Sequence, residues 1–587
     1  MSRYGASSLG VLGLALNFRR RFAPPPQSGL PVPRSQDQLV FVPLGGLGEI
    51  GMNAALYGFG PEGRRKWILV DCGLSFAGPE VPGVDIVLPD LRYIIEERAN
   101  LLGIVITHAH EDHIGALAAL WPSLRAPVYC TRFAAGLLAT RRLSEPGAPQ
   151  VPMNVVPQGG RVQLGPFDIE FVPVAHSIPE SNALAIRTPV GLVVHTGDWK
   201  IDPTPQVGLP TDEKRLRELG EEGVLALVCD STNVMRDGIS PSEADVAAKL
   251  KELIHSAPGR VAVTTFASNV ARLRAVAEAA MADQREVVVV GRAMDRVIDV
   301  ARECGYLEGI PAFRAADTYG YLPRDKVVAL LTGSQGEPRA ALSRIASDDH
   351  PEITLSPGDR VIFSSRTIPG NEKAVGAIQN ALARDNIEII TDRTHLVHVS
   401  GHPRREEMAR LYGWLKPRIV IPAHGEDLHL SEHAHFAREL GVKSVVRAGN
   451  GDVIAITGDG AGKIDEAPHG RLYQDGNLLV NALEKTIPER RRLSYVGMIS
   501  VGVAIDEKGG LAGDPEIAVL GLPPYTRDGT AFDEYVAEAV SELIDGIPKA
   551  RRRDPEALRN ALERGLRSAV NEEWGKKPLV HALVIEV

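Results

Sequence analysis

The stretch "THAHEDHIGAL", Thr107 to Leu117, sets His108, His110, Asp112 and His113 in the spacing H-x-H-x-D-H. Imidazole nitrogens and carboxylate oxygens at this density suit a divalent cation, Zn²⁺ first, with Mn²⁺ or Mg²⁺ as alternatives. Alternate side chains at a strand end point the same way, and a following helical turn swings two more ligands inward. One box can then feed two metals, the arrangement used to displace a phosphoryl group. His176 in "VAHSIPES", Asp198 in "HTGDW" and His424 in "IPAHGE" each follow an apolar run. Any one alone reads as a structural residue; beside the box they complete a metal site.

A second constellation competes with the first. Gly46, Gly48 and Gly51 in "GGLGEIG" have the G-x-G-x-x-G spacing, and Asp71 follows where a dinucleotide site would place its ribose acid. That motif requires a helix after the glycines. "MNAALYGFGPEGRRKW" instead carries Gly58, Gly60, Pro61 and Gly63, which break helices and suit a turn between antiparallel strands. Glycines that let the backbone pass close beneath a site are the favoured reading.

The elements that must carry these groups are short β-rich runs: "QLVFVPL", "KWILVDCG", "LLGIVITHAH", "FDIEFVPVAHS" and "GLVVHTGDW", several of them ending in a polar residue. From about 240 to 360, helices alternate with strands, as βα units around a parallel sheet do. Strand ends bearing histidine resume in "RTHLVHVSGHP" and "PRIVIPAHGED", so the α/β block reads as an insertion. The expected organisation is a disordered tail over 1–37, a first domain over 38–235 and 361–460, an inserted domain over 236–360, a linker over 461–485, and a C-terminal α/β unit over 486–587.

A chain of 587 residues exceeds what one core usually organises. Its formal charge of −9 argues against a molecule that is basic all over, yet leaves room for a local positive groove. Cys72, Cys130, Cys229 and Cys304 form no C-x-x-C pair, which suits a reducing compartment and points to the cytoplasm. The apolar stretch "SLGVLGLALNF" is too short to span a bilayer, and no membrane association is expected.

Asp71, the H-x-H-x-D-H box, His176 and Asp198, in that order, resemble the motifs of the metallo-β-lactamase fold, an αββα sandwich. "CDSTN" with Asp230, "HVSGH" with His402 and "PAHGE" with His424 resemble the added motifs of the β-CASP nucleases, whose inserted domain falls where the α/β block lies. With "GGLGEIGMN", "GSQGEP" and "SSRTIPGNE", the set is most similar to the ribonuclease J family over about residues 38 to 460. The terminal unit matches by position and size.

That resemblance implies two Zn²⁺ per subunit. One would be held by His108, His110 and His176, the other by Asp112, His113 and His424, with Asp198 bridging. It implies hydrolysis of single-stranded RNA from a 5′-monophosphate end in the 5′-to-3′ direction, with internal cutting as a further mode, in RNA processing and decay. Asp71 is expected to orient a ligand or the nearby backbone. His402, close in sequence to His398, is expected to protonate or hydrogen-bond the leaving oxygen, and Asp112 and Asp230 are expected among the catalytic residues. The segment His398, Val399, Ser400, Gly401 and His402 is expected on substrate phosphate, with Ser364, Ser365 and Arg366 as a second phosphate contact. A homodimer or homotetramer formed through the C-terminal unit, and an RNA-decay complex with a helicase, are the implied partners. The alternatives are a thioester or lactam hydrolase of the same fold, and a catalytically silent RNA-binding scaffold.

Overall fold

The computed structural model describes residues 37–144 and 147–587. The expected tail therefore lies outside the described residues, apart from Asp37.

Strand Gln38–Gly45 alternates between two cores. Leu39 and Phe41 pack inward against Phe167, Ile169 and Phe171, whereas Val40 and Val42 face the opposite way, toward helical residues such as Ile94, Leu117 and Leu120. This period of two is what a strand buried on both faces requires. Gln38–Gly45 pairs antiparallel with Ala54–Gly60 and with Asp452–Thr457, and the sheet continues through Lys66–Val70 and Leu101–Val105. A second sheet faces it, running from Phe167–Pro173 through Asn182–Thr188, Gly191–His195 and Val224–Asp230 to Ile419–Ala423. On its far side Val172 and Val174 meet Leu216, Leu219, Met408 and Leu411 from two helices. The result is the expected αββα sandwich. Each large apolar side chain removed from water between these sheets contributes about 1.5–3 kcal/mol.

Val224–Asp230 and Ile419–Ala423 are parallel neighbours, Asp230 opposite Ala423. Between them the chain leaves the sandwich and builds an all-parallel sheet in the order Glu286–Val290, Val327–Leu331, Val261–Thr264, Arg360–Phe363 and Glu388–Ile390. This corrects the expected boundary at 360. Arg360–Phe363 must pair with Val261–Thr264 to complete the sheet, so the inserted domain runs on to about Ile390.

The segment expected as a linker, 461–485, is also ordered differently. Gly460–Glu466 forms a hairpin with Asp452–Thr457, and Arg471–Asp475 pairs both with Leu478–Asn481 and with Ile86–Pro89. Gly476-Asn477 supplies the two-residue turn, with Gly476 at φ 60. Beyond it, a sheet of Glu516–Leu520, Met498–Ile505 and Leu579–Glu586 packs one face on helices Phe532–Gly546 and Pro555–Trp574. No helix among the described residues is long and apolar enough to cross a membrane.

Candidate metal centre

Strand ends from both sheets of the sandwich converge on one carboxylate. Asp198, after strand Gly191–His195, lies with Oδ2 3.7 Å from both His108 Nε2 and His176 Nε2. Its other oxygen, Oδ1, is 3.3 Å from His113 Nε2 and 2.7 Å from His424 Nδ1. His110 Nδ1 completes the first group, 3.2 Å from His108 Nε2 and 3.0 Å from His176 Nε2. Asp112 Oδ2 completes the second, 3.6 Å from His113 Nε2 and 3.5 Å from His424 Nε2. All seven expected metal ligands are thus gathered into two sets that share Asp198.

The donor set fits divalent cations. Ligand atoms about 2.0–2.1 Å from a tetrahedral ion stand roughly 3.3–3.4 Å apart, and, apart from the 2.7 Å contact of His424 Nδ1, the separations in the two groups lie around that value, from 3.0 to 3.7 Å. His424 Nε2 is buried without a hydrogen-bond partner, a costly arrangement for a ring nitrogen unless a cation accepts its lone pair. The rings of His113, His176 and His108 have their tautomers set from behind. His113 Nδ1 donates to Asp71 Oδ2 at 2.7 Å, His176 Nδ1 to the Gly401 carbonyl at 2.7 Å, and His108 Nδ1 faces the Thr107 hydroxyl at 3.0 Å. Each leaves Nε2 turned toward the cluster.

Local sequence explains how so many groups reach one place. Asp71 takes a left-handed conformation at φ 62 at the end of its strand and accepts from the Thr107 N–H and hydroxyl, both at 2.8 Å. The chain after it runs beside the histidine box: Cys72 N–H donates to His113 O and Leu74 N–H to Glu111 O. A Cβ on Gly73 would sit 1.7 Å from the Asp112 carbonyl oxygen, so the approach demands glycine there. Gly51, at φ +91, passes close to the Asp112 side chain. These contacts agree with glycines beneath a site and not with a nucleotide loop.

Electrostatics divide the imidazoles. Burial pushes His108, His110 and His176 well down, His110 to about 3, so they stand neutral and ready to donate lone pairs. Burial also opposes the charged forms of His113 and His424, but the Asp198 carboxylate outweighs it and raises both. Burial likewise disfavours the Asp198 anion, and His113 and His424 more than compensate. The shared carboxylate is therefore held as an anion.

Above the cluster lies the "HVSGH" segment. His402 Nδ1 is 2.7 Å from Asp230 Oδ2, and Asp230 is fixed on its other oxygen by the Thr232 N–H and hydroxyl. Burial lowers the His402 imidazolium, but Asp230 and then Asp198 override it and raise the group to about 9. Ser400 Oγ accepts from Asn233 Nδ2 at 2.8 Å and from the His402 N–H at 3.3 Å, leaving its own proton free to donate. A Cβ on Gly401 would come within 2.5 Å of the His176 ring. His398 carries a buried, unpartnered Nδ1 and is kept neutral first by burial and then by Arg272, Arg366 and Lys200. Val399 is buried in the apolar core and brings only backbone to the site.

The second phosphate contact needs correction. Ser364 is fully buried and donates its hydroxyl to the Val397 carbonyl at 2.7 Å, so it braces the segment and does not present a donor to substrate. Ser365 is buried as well, whereas Arg366 is exposed. Residues that the sequence left unremarked do much of the bracing. Asn233 stands three residues past Asp230 in "CDSTN". Gln335 of "GSQGEP" holds the loop through Arg366 O at 2.9 Å and the Ile368 N–H at 2.8 Å.

Four family models match in sequence order. They are the Beta-lactamase superfamily domain over residues 66–223, the Ribonuclease J beta-CASP domain over 258–382, the Zn-dependent metallo-hydrolase RNA specificity domain over 386–447, and the Ribonuclease J C-terminal domain over 485–587. Ribonuclease J of Sinorhizobium meliloti is 53% identical over 551 residues, covering 94% of this chain and 98% of that one. Ribonuclease J of Mycolicibacterium smegmatis is 37% identical, covering 96% and 99%, and that of Thermus thermophilus 34% identical, covering 94% and 96%.

Proposed function

The chain belongs to the ribonuclease J family and is a metal-dependent RNA hydrolase, and from that premise we propose that it degrades single-stranded RNA from 5′-monophosphate ends in the 5′-to-3′ direction, with internal cutting as a second mode. The observation that carries the reading is the pair of ligand sets sharing Asp198 directly beneath the His398–His402 segment.

In this proposal His108, His110 and His176 would hold one Zn²⁺, and Asp112, His113 and His424 the other, with Asp198 available to both sets. Bound there, the two cations would lower the pKa of a shared water toward neutrality and offset charge on the phosphoryl oxygens. The chain's own groups do the rest. Asp71 keeps the His113 ring in the tautomer that frees Nε2. The Ser400 hydroxyl and the neutral His398 ring bind phosphate oxygens, and Arg366 adds a charge at the rim. His402, with Nδ1 committed to Asp230, has Nε2 left to give a proton to the leaving oxygen.

Assembly through the C-terminal unit, as a homodimer or homotetramer, is supported by its exposed sheet face. Leu520, Leu583 and Ile585 are more than half or about half exposed on the side opposite the helices. A cytoplasmic location suits four cysteines that form no disulfide. A helicase partner rests on the family resemblance alone.

One transcript prepared with a 5′ monophosphate or a 5′ triphosphate tests the proposal. Mononucleotides accumulating from the monophosphate end, faster than from the triphosphate, are expected. Equal rates at the two ends would overturn the end preference, and defined fragments without mononucleotides would overturn the direction.

A further inference from the structure

Four charged side chains outside the metal cluster are buried together where the inserted domain meets the sandwich. Lys200 Nζ lies 2.8 Å from Asp202 Oδ2, both side chains fully enclosed. Asp202 Oδ2 accepts from the Glu243 N–H at 2.9 Å, and Glu243 Oε2 pairs with Arg272 Nη2 at 2.9 Å. Arg272 is 0% exposed, and its Nη1 donates to the carbonyl oxygens of Ser364, at 3.0 Å, and Val397, at 2.7 Å. Lys200 stands two residues after Asp198, and Val397 immediately precedes His398. Two buried ion pairs, joined through the Glu243 backbone N–H, thus lie between the loop that carries Asp198 and the segment above it.

Stability alone explains these pairs poorly. Ions taken out of water cost several kcal/mol each, and apolar residues of similar volume often serve a core as well as a buried ion pair does. The helix that carries Arg272, Val270–Ala282, is buried around most of its circumference by Val270, Leu273, Val276 and alanines. What apolar side chains cannot supply there is a rigid donor that grips two carbonyls on separate chain segments at once. We propose that Arg272 is a positioning residue for the RNA phosphate. Anchored by Glu243, it fixes the height of the Val397–Gly401 backbone over Asp198, and so the distance between the phosphate-binding groups and the hydrolytic centre. The inference rests on the reading of that segment as the phosphate contact.

Three variants test it: Arg272→Lys, Arg272→Met, and Glu243→Met combined with Arg272→Met. The double variant leaves no lone buried charge, so it is expected to melt near the parent and to retain the parent's zinc content. For a 5′-monophosphate oligonucleotide with nonhydrolysable linkages, its Kd is expected to rise about tenfold or more, and its kcat/KM on cleavable RNA to fall about 100-fold, the scale set by misplacing a reacting group by about 1 Å. Arg272→Lys keeps the ion pair but loses the fork, and should lie between. A purely structural role would lower the active fraction and leave Kd and KM where they were. A folded double variant with the parent's Kd and KM overturns the inference; should the double variant fail to fold, parental values in Arg272→Lys do so. Ser400→Ala separates the two readings. If it leaves Kd unchanged, the phosphate-contact reading falls and this inference with it; if it weakens binding while the Arg272 variants do not, this inference alone falls.

Discussion

Asp230 Oδ2 lies 2.7 Å from His402 Nδ1, a pair formed across 172 residues of sequence. The contact exists because strand Val224–Asp230 ends beside strand Ile419–Ala423, and the whole inserted domain loops out between them. Asp230 is oriented by Thr232, so it acts as a fixed acceptor that orients the His402 ring and favours its protonated form. His402→Ala is expected to lower kcat by about 10²–10⁴, with bound zinc unchanged, the range for loss of a positioned proton donor. Asp230→Asn should lower kcat less, since the ring stays in place but loses its charged acceptor. Single-turnover cleavage with parallel metal analysis checks both, and parental kcat in His402→Ala would remove the proton-donor role.

Asp198 is the one carboxylate common to both ligand sets. Asp198→Asn keeps the shape and removes the negative charge that would offset the two proposed cations. The expected outcome is a loss of zinc from both sets together, and of nearly all cleavage. Titrating zinc into chelated protein reads this directly: loss of one ion with the other retained would show that the bridge is not shared.

Asp71 acts through His113, accepting its Nδ1 proton at 2.7 Å while held by Thr107. Partners placed behind a ligand in this way are worth about 10–100-fold in metal affinity. Asp71→Ala is expected to weaken zinc binding by that factor, and excess zinc should restore cleavage. Activity that stays lost at saturating zinc would mean that Asp71 does more than orient the ring.

How much of this was legible in the sequence follows from where the information resides. The candidate ligands were readable because chemistry fixes their residue types, and the strands of the sandwich because a strand buried on both faces reads as a nearly continuous apolar run, as Gln38–Gly45 does. The inserted domain's far edge was not, because Arg360–Phe363 carries the same local pattern whichever sheet it joins; only its pairing with Val261–Thr264 decides. Ser364 looked like a donor to substrate because hydroxyl chemistry is visible in sequence and burial at a strand end is not. Arg272 left no such mark: its helix also carries Arg274 and Glu278, which pair with each other on a partly exposed face, and sequence alone does not separate the buried arginine from the solvated one two residues on.

Away from the centre, Glu170 on the second sheet sits among three arginines: Arg215 Nε at 2.7 Å, Arg161 Nη2 at 2.8 Å and Arg187 Nη2 at 3.0 Å. Burial disfavours its anion, but the hydrogen bonds from Arg215 and Arg187 prevail and hold the carboxyl down at about 2. A folded value below the unfolded one, about 4.3, stabilises the protein above that pH, and the contribution drains away as pH falls from about 4 toward 2. All three arginines are partly open to solvent, so the gain is on the order of 1–3 kcal/mol, short of what the full shift would give. Glu170→Gln should therefore melt lower than the parent at pH 7. Because the lost carboxylate is the one that protonation would neutralise, the gap between the two proteins should narrow as the pH drops below about 4. Denaturant midpoints measured across that window check it, and a gap that stays constant with pH would show that packing, not charge, accounts for the difference.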